Sequence, residues 1–476
     1  MPGREEVLMV TPIPPANTGL ATYAMRVLRA TNSKLQWTVV YPGGGDPSLL
    51  PEGVRHTPIE GIDENRLPSR RIFQIGNSSH CFPVVRLLYR TGGIAILHET
   101  VLHHMLRDGY RQRDMMDEYR RELRFCFGPE AETVEKELSE ECPEKEYDEK
   151  LKKYPLRGRV LHSSHSAVCL NEFSASAVRN AFPEGRVITV GHPLSALPDI
   201  PEVEKPFEVC IGMVGTNHPG RNLSELLAAM REIRKEHPEA GLVLIGSGYP
   251  SDLPEWCIST GRLDEPEYQG WIRTLDIAAD LRHPTCGETS GSLLEVLRAG
   301  VPAVVSTSGA FSNLPSDGVI RVTPYGSVQG FVRAFRLLEG DPELRKTLSR
   351  KGREYALETG SEERLHKDWK RIIELAGENS GVEKQDYSDL QISPAWNEPP
   401  SGFSRDLTTG PVTWKFSSPC RIEGPEGAIA SAVTAWGKGS VNGAELPENP
   451  KVMDLDGGIL DFRGQGWVSS VLWKRR

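Results

Sequence analysis

Short apolar segments alternate with amphipathic helical patterns along most of this 476-residue chain, and this alternation constrains the fold more than any other feature. The apolar residues Leu20, Tyr23 and Val27, for example, have the spacing of one buried helix face. Strands that are separated by helices predict parallel sheets with helices on both faces. The predicted strands lie at residues 7–10, 37–41, 71–75, 93–98, 186–190, 208–214, 241–245, 277–281, 301–306 and 319–322.

The predicted strands form two α/β series, and a proline-rich segment at residues 193–205 separates them. We therefore predict one Rossmann-like domain over residues 1–198 and a second over residues 199–360. Residues 361–382 are predicted to form a last helix and a linker. A charged stretch at about residues 111–156 predicts exposed helices within the first domain, because runs of charge are typical of solvated faces.

The end of the chain has a different character. Residues 412–416, 428–436 and 467–473 predict strands between glycine and proline turns, and hence a small β-rich accessory domain over residues 383–476. Its tryptophans would either form the core of that domain or stack on sugar rings. These tryptophans are Trp396, Trp414, Trp436, Trp467 and Trp473.

Composition disfavours several classes of protein. No apolar run reaches the ~18 residues of a membrane helix, and the polar residues 1–6 do not suggest a signal peptide. The eight cysteines never form a Cys-x-x-Cys pair, which disfavours a zinc ribbon or a disulfide framework and suits a reducing compartment. The net charge of −9 disfavours nucleic-acid binding, although one basic patch would be enough for peripheral contact with a membrane. We expect a cytoplasmic protein without a transmembrane segment.

Three loops that follow predicted strands carry the candidate site, since open parallel sheets bind ligands at the carboxyl ends of their strands. The first loop, residues 12–21, has Gly19 at the start of a helix. A glycine there lets a ligand approach the backbone, and free helix N–H groups attract anions. The alternative is an ordinary loop between a strand and a helix. The chain lacks a Gly-x-Gly-x-x-Gly fingerprint, which counts against a nicotinamide enzyme.

The second and third loops contain charged residues beside predicted helix starts. In residues 215–222, the Arg221 guanidinium would bind diphosphate oxygens in a bidentate way, unless it is simply solvated. In residues 282–295, Glu288 and Glu295 would accept hydrogen bonds from ligand hydroxyls; their alternatives are a partner of the helix dipole and a surface residue. Between them lies an anion cradle of N–H and hydroxyl donors. It consists of Thr289, Ser290, Gly291 and Ser292.

Together these segments resemble the retaining glycosyltransferases of family four, which have the two-domain GT-B fold. The resemblance covers residues 5–376 and is most specific at residues 287–292 with the Ala-Gly-Val-Pro sequence that follows. It implies two Rossmann-like domains that face each other across a cleft, with the nucleotide-sugar donor mainly on the second and the acceptor mainly on the first. The helix after Ser361 resembles the one that crosses back onto the N-terminal domain in this fold. Further matching segments are residues 74–80, 95–99, 161–166, 191–194, 215–222 and 306–315.

The resemblance implies a role for each matching residue of the donor side. Arg221 would neutralise the diphosphate, Glu288 would hold sugar hydroxyls and Glu295 would hold the nucleotide ribose. The chain departs from the family pattern here, because Thr216 stands where an arginine is common. The two glutamates are also seven residues apart instead of the usual eight.

The resemblance also implies roles around the acceptor. Gly19 would lie against the donor diphosphate or the acceptor, and His98 would contact the donor sugar near the reacting centre, unless it is a structural histidine. Asn77, His80 and Glu99 would line the acceptor side. The common His-Asp pair of the family is His-Glu at residues 98 and 99.

The expected activity is transfer of a hexosyl-type sugar from a nucleotide-diphosphate sugar to an unidentified glycan, lipid-linked or small-molecule acceptor, with retention of configuration. No cofactor and no metal are expected, since Arg221 and the helix start would stabilise the leaving diphosphate, and the two Rossmann-like domains have no Asp-x-Asp motif. Two alternatives stay open. One is a catalytically weak GT-B scaffold that binds sugar nucleotides or glycans, and the other is a different chemistry on this fold, such as epimerisation.

Overall fold

The computed structural model describes residues 5–378, except residues 17, 140–143, 183–184, 197–198 and 324–326. Beyond Glu378 it describes only the backbone of separate β-strand segments. These are Gln391–Pro394, Thr413–Phe416, Cys420–Glu423, Ala428–Val441, Ala444–Glu445, Lys451–Leu455 and Ile459–Arg475. The predicted accessory domain and its tryptophan side chains lie outside the residues described in full, so this domain stays a prediction.

The N-terminal domain is built on a parallel sheet in the strand order β3-β2-β1-β4-β5-β6-β7. Its strands are β1 (Glu6–Val10), β2 (Gln36–Tyr41), β3 (Arg55–Pro58), β4 (Arg71–Ile75), β5 (Gly93–Leu97), β6 (Ser164–Cys169) and β7 (Arg186–Thr189). Its helices are α1 (Gly19–Thr31), α2 (Phe82–Thr91), α3 (His103–Arg111), α4 (Met116–Phe127), α5 (Ala131–Ser139), α6 (Glu144–Lys153), α7 (Gly158–His162) and α8 (Glu172–Ala181).

The second domain repeats this design with the strand order β10-β9-β8-β11-β12-β13. Its strands are β8 (Val209–Val214), β9 (Ala240–Ile245), β10 (Cys257–Gly261), β11 (Ile277–Asp280), β12 (Ala303–Ser306) and β13 (Ile320–Val322). The helices are α9 (Leu223–Ile233), α10 (Glu265–Arg273), α11 (Gly291–Arg298), α12 (Ser327–Gly340), α13 (Pro342–Gly360) and, last, α14 (Glu362–Glu378). The prediction of two Rossmann-like parallel sheets is therefore confirmed.

Each sheet is buried on both faces, as the alternation of strands and helices predicts. Along β1, Leu8 and Val10 belong to one apolar core, whereas Val7 and Met9 belong to the other. Successive side chains of a strand point to opposite faces, so both faces of the sheet are covered. In each sheet the strand order reverses beside the first strand, between β1 and β4 and between β8 and β11. Such reversals are where open α/β sheets form their binding crevices.

Three strands of the two Rossmann-like sheets are missing from the predicted set. Of these, β3 and β10 are edge strands, and their half-exposed residues lack a continuous apolar run. The third, β6, lies inside the sheet but carries the buried polar residues Ser164 and Ser166. These side chains break the apolar pattern. The hydroxyl group of Ser164 is nevertheless hydrogen-bonded, since its Oγ donates to the Val160 carbonyl oxygen at 2.7 Å.

The charged stretch at residues 111–156 forms the helices α4, α5 and α6, but the expectation that they are simply exposed is wrong. One face of α4 packs into the core of the N-terminal domain through Tyr119, Leu123 and Phe127. On the same face Glu122 is fully buried, and its Oε1 accepts bonds from Tyr110 Oη at 2.6 Å and Arg159 Nη1 at 2.9 Å. This stretch thus contributes Glu122 to a buried ion pair with Arg159, and a charge pattern alone cannot distinguish such a glutamate from a solvated one.

The chain passes between the two domains twice, and the two passages touch. The backbone N–H of Leu194 donates to the Gly360 carbonyl oxygen at 2.9 Å. After the second passage, α14 packs on the N-terminal domain, where Trp369 meets Trp37 edge to face at 5.5 Å between ring centroids. Asp368 Oδ2 also accepts the Gly191 N–H at 2.8 Å. The last described helix therefore completes the core of the first domain.

Candidate functional site

The loops at the carboxyl ends of the two sheets meet between the domains. The Thr100 N–H, after β5, donates to the Cys286 carbonyl oxygen at 2.9 Å. Asn171 Nδ2, after β6, donates to the Gly287 carbonyl oxygen at 2.9 Å, and Lys152 Nζ donates to that of Pro284 at 2.9 Å. The loop after β11 therefore lies directly against the N-terminal domain, with the β8/β11 crevice beside it.

Arg221 lies in this crevice and is only 2% exposed. Its Nη2 donates to Asp280 Oδ1 at 3.2 Å, and its Nη1 donates to the Thr216 carbonyl oxygen at 3.4 Å. Its Nε has no hydrogen-bond partner, which is unusual for a buried polar atom. A Cβ atom at Gly215, which has a φ of +117°, would lie 2.5 Å from Arg221 Nη1. Because Gly215 has no side chain, the guanidinium group can lie against the backbone at this position.

A second guanidinium, which the sequence did not single out, lies next to Arg221. Arg282 follows β11, and its Nε donates to Asp280 Oδ1 at 2.9 Å. One carboxylate oxygen therefore binds both arginines. Arg282 also donates through Nη2 to Ser290 Oγ at 2.9 Å and through Nη1 to Glu288 Oε1 at 3.3 Å. Its side chain is 11% exposed.

Glu288 is held by its own loop. Besides Arg282, its carboxylate accepts bonds from Thr285 Oγ1 at 2.9 Å and from the Cys286 N–H at 2.8 Å. Burial alone would raise the pKa of Glu288, but the Arg282 guanidinium beside it holds that pKa below its usual value. Glu288 is therefore ionised at neutral pH and able to accept hydrogen bonds.

The predicted anion cradle begins α11, and its residues face different neighbours. Ser290 is the N-cap, since its Oγ accepts the Leu293 N–H at 3.2 Å, and it also donates to Asp280 Oδ2 at 2.6 Å. Ser292 Oγ lies 3.2 Å from Ser290 Oγ. Thr289 instead bonds to the N-terminal domain, where its Oγ1 donates to the Leu170 carbonyl oxygen. Gly291 allows a close approach, because a Cβ there would lie 2.8 Å from the His192 ring.

Glu295 is 1% exposed and lies in a network that joins the domains. Its Oε1 pairs with Arg26 Nη2 of α1 at 3.0 Å and accepts the Ser195 N–H at 3.0 Å. Its Oε2 pairs with Arg298 Nη2 at 2.5 Å and accepts from Gln269 Nε2 at 3.3 Å. The residue predicted to hold the ribose is thus bound to protein groups on every side in this structure.

His98 stands at the end of β5, on the opposite wall. Its Nε2 lies 3.1 Å from Gln74 Oε1, and its ring packs edge to face on Tyr23 at 4.8 Å between centroids. Burial, together with the neighbouring His192, lowers the pKa of His98 to about 3. The imidazole is therefore neutral at physiological pH and acts as a hydrogen-bonding group instead of a cation.

The predicted acceptor-side residues are not equivalent. Asn77 is used structurally, since its Nδ2 lies 2.8 Å from His104 Nδ1 and its Oδ1 accepts the Met105 N–H at 3.1 Å. Glu99 accepts the Asn77 N–H, whereas His80 is exposed at the surface beyond it.

Gly19 begins α1 beneath the same wall. The preceding Thr18 caps the helix, with its Oγ1 accepting the Ala21 N–H at 3.2 Å. A Cβ atom at Gly19 would meet no atom within 4 Å. The described surroundings therefore leave open space beside the helix start, as a ligand contact there would require.

The ionisation of Glu99 makes the unfolding free energy of the protein depend on pH. Burial, with repulsion from Glu288, raises the pKa of Glu99 from 4.5 to about 7. The folded state then holds a proton that the unfolded chain has released, so the stabilisation is complete below pH 4.5 and is lost as pH rises through about 7. In Glu99→Gln this loss is absent. Urea titrations should show the variant-minus-wild-type unfolding free energy rising from about pH 4.5 to about pH 7.

The matched control for this titration is Glu343→Gln, because the Glu343 side chain is 82% exposed. Glu343 lies outside the candidate site, so this variant shows what a glutamate-to-glutamine change at the surface does by itself. The lowered pKa of His98 acts in all three proteins and cancels in the differences. A Glu99→Gln difference that is flat with pH would contradict the raised pKa.

Two further properties concern the described residues. No group of three or more histidine, cysteine, aspartate or glutamate side chains within them is arranged to hold a metal ion. Within the same part of the chain, none of the helices combines the length and apolar character needed to cross a bilayer.

Comparison with known proteins supports the resemblance. Residues 208–341 match the family model described as glycosyl transferases group 1. No curated protein sequence matches the chain significantly. Many solved structures match, among them sucrose-phosphate synthase from Thermosynechococcus elongatus, which is 13% identical with a TM-score of 0.56 over 79% of this chain and 100% of that one.

Two further solved structures have the same fold. TarM is 10% identical with a TM-score of 0.53, over 78% of this chain and 98% of that one. HepE of Anabaena, in complex with UDP and glucose, is 12% identical with a TM-score of 0.51, over 78% of this chain and 99% of that one. At these identities the structures show a common fold, and with the family match they confirm the resemblance to group 1 glycosyltransferases with the GT-B fold.

Proposed function

We propose that this chain is a retaining glycosyltransferase of group 1, which transfers a hexosyl-type sugar from a nucleotide-diphosphate sugar to a hydroxyl group of an acceptor. The observation that carries the proposal is the β8/β11 crevice, which holds the Arg221 guanidinium and the start of α11. Gly291 of this helix start lies against His192, and the rings of His192 and His98 both pack on Tyr23. The family match of residues 208–341 and the UDP and glucose bound to HepE support a nucleotide-sugar donor.

The reaction breaks the bond between the sugar and its phosphate, so negative charge develops on the leaving diphosphate. The Arg221 guanidinium and the free N–H groups at the start of α11 would stabilise that charge. These groups are fixed before the reaction, since Arg221 is held by Asp280 and α11 is capped by Ser290. We propose that they act without a divalent metal.

Retention follows when the acceptor hydroxyl attacks from the face that the diphosphate leaves. The leaving phosphate then takes the proton of that hydroxyl, and no protein nucleophile is required. His98 is neutral, so it would bind a sugar hydroxyl as a hydrogen-bond partner. Glu288, which is ionised, would accept bonds from other sugar hydroxyls.

A screen for nucleotide release tests this proposal. The purified chain is incubated with UDP-, GDP-, ADP- and dTDP-sugars in the presence of EDTA, and free nucleoside diphosphate is followed. We expect slow hydrolysis of one donor, and a decrease of about 10²-fold in Glu288→Gln, because contacts to the reacting sugar act in the transition state. The exposed Glu343→Gln should retain wild-type turnover.

Each outcome of the screen has a defined meaning. Release from one donor identifies the donor and leaves the acceptor to be found with that donor in hand. Thermal stabilisation by one nucleotide without release indicates a donor site that turns over only with its acceptor. If neither release nor stabilisation is observed, the proposal is contradicted and the scaffold that binds glycans is favoured.

A further inference from the structure

The proposed diphosphate site has fewer cations on the β8 side than its ligand requires. A nucleoside diphosphate sugar carries two phosphate groups, and the loop after β8 offers them one guanidinium, that of Arg221. Thr216 in the same loop is neutral, and its carbonyl oxygen accepts from Arg221 Nη1 at 3.4 Å. The backbone of residue 216 therefore lies within reach of the same ligand, but adds no charge.

The neighbouring strand supplies a second cation. β8 and β11 are adjacent in the sheet and flank the point where the strand order reverses. Arg221 follows β8 and Arg282 follows β11, and both bind Asp280 Oδ1, at 3.2 and 2.9 Å. The two guanidinium groups thus converge on one carboxylate oxygen at the mouth of the crevice.

We infer, on the basis of the proposed function, that Arg282 is the second diphosphate-binding cation of this site and exchanges Glu288 for a phosphate oxygen when the donor binds. Thr216 would then need no charge, because the adjacent strand provides it. The same exchange frees Glu288 Oε1 for the sugar hydroxyls, while Oε2 keeps its bonds from Thr285 and the Cys286 N–H. Arg282 therefore acts on both sides of the bond that breaks, because it binds the phosphate directly and makes the Glu288 carboxylate available to the sugar.

The bonds of Arg282 fit such an exchange. Two of them, Nε to Asp280 and Nη2 to Ser290, are 2.9 Å long and hold the side chain in place. The third, Nη1 to Glu288, is 3.3 Å, which is longer than the ~2.7–2.9 Å of a strong charge-assisted bond. Nη1 can therefore change partners while the rest of the guanidinium stays fixed.

The charge balance of the site also favours the exchange. The two arginines are matched by two carboxylates, those of Asp280 and Glu288. A diphosphate adds negative charge, and the Arg282 Nη1 that now binds Glu288 can meet part of it. The Arg282 guanidinium also lies 5.9 Å from the centroid of the Phe311 ring, which supports one side of its plane.

The test moves one positive charge from the loop after β11, at residue 282, to the loop after β8, at residue 216. Wild type, Arg282→Gln, Thr216→Arg and the double variant are titrated calorimetrically with inorganic pyrophosphate and with UDP, GDP, ADP and dTDP. We expect Arg282→Gln to weaken binding of pyrophosphate and of the preferred nucleotide about 10- to 100-fold, the loss of one charge-assisted bond. Thr216→Arg should restore about tenfold of that affinity in the double variant, as expected for a charge placed at the same ligand. Arg336→Gln, an exposed arginine paired with Glu236, is the matched control.

The outcomes separate this inference from the proposed function. If the wild type binds none of the nucleotides, the proposed function itself fails. If the wild type binds but Arg282→Gln binds equally well, Arg282 is not a phosphate ligand. If affinity falls and Thr216→Arg does not restore it, Arg282 acts only by holding Glu288, and the inference is overturned. Should Arg282→Gln fail to fold, Arg282→Lys replaces it, and unchanged affinity of Thr216→Arg on its own would count against a shared ligand.

Discussion

Replacing Arg221 with glutamine is expected to reduce kcat/KM for sugar transfer about 10²- to 10³-fold, the usual effect of removing a fixed group that stabilises transition-state charge. The group is 2% exposed and acts away from bulk water, where charge has its largest effect. The fold should survive, because Asp280 keeps its bonds to Arg282 and Ser290. Initial rates at varied donor concentration give the measurement.

The control for this variant is again Arg336→Gln, which removes an exposed arginine of the same domain. Circular dichroism and thermal unfolding of both proteins show whether the domain is intact. A folded Arg221→Gln protein with more than about a tenth of wild-type kcat/KM would mean that Arg221 holds Asp280 but does not stabilise the leaving group.

Replacing Glu122 with glutamine is expected to lower the unfolding free energy of the N-terminal domain by about 3–5 kcal/mol, the range for breaking a buried ion pair from one side. Glu122 is fully buried, and the variant leaves the Arg159 guanidinium without this carboxylate. Urea unfolding followed by tryptophan fluorescence reports on the domain, because Trp37 and Trp369 lie in its core.

A double-mutant cycle distinguishes the charge from the hydrogen bond. Arg159→Met removes the guanidinium, so the Glu122→Gln/Arg159→Met protein should regain part of the lost stability. The Tyr110 Oη bond to position 122 is kept in both variants, since glutamine also accepts it. A loss below about 1 kcal/mol in Glu122→Gln would mean that the pair contributes no more than a surface salt bridge.

Much of the fold could be predicted because its signal is local. Both sheets have apolar strands buried on two faces, and these stand out against the helical stripes between them. The strand β6 was missed because Ser164 and Ser166 carry polar side chains into the core, where their bonds are made by the fold. The helix α4 was misjudged for a related reason, since Glu122 is buried only because Arg159 and Tyr110 reach it from other elements.

The site could be predicted in part for the same reason. Arg221 and Glu288 follow strand ends, and the structure places both beside the β8/β11 crevice. Arg282 lies in the third candidate loop but has no sequence signal of its own, because only the pairing of β8 with β11 brings it to Arg221. The engagement of Glu295 depends on Arg26 and Ser195, which are distant in sequence and meet it only when the domains pack.

The position of α14 has a consequence for how the molecule is made. The apolar side chains of Trp369 and Ile372 fill the core that contains Trp37, yet they are encoded after the whole second domain. During synthesis, the strands of the first domain leave the ribosome long before the helix that covers them. Domains generally fold in the order in which they emerge. Here the first domain begins folding first, but its core can be completed only after the second domain has been synthesised.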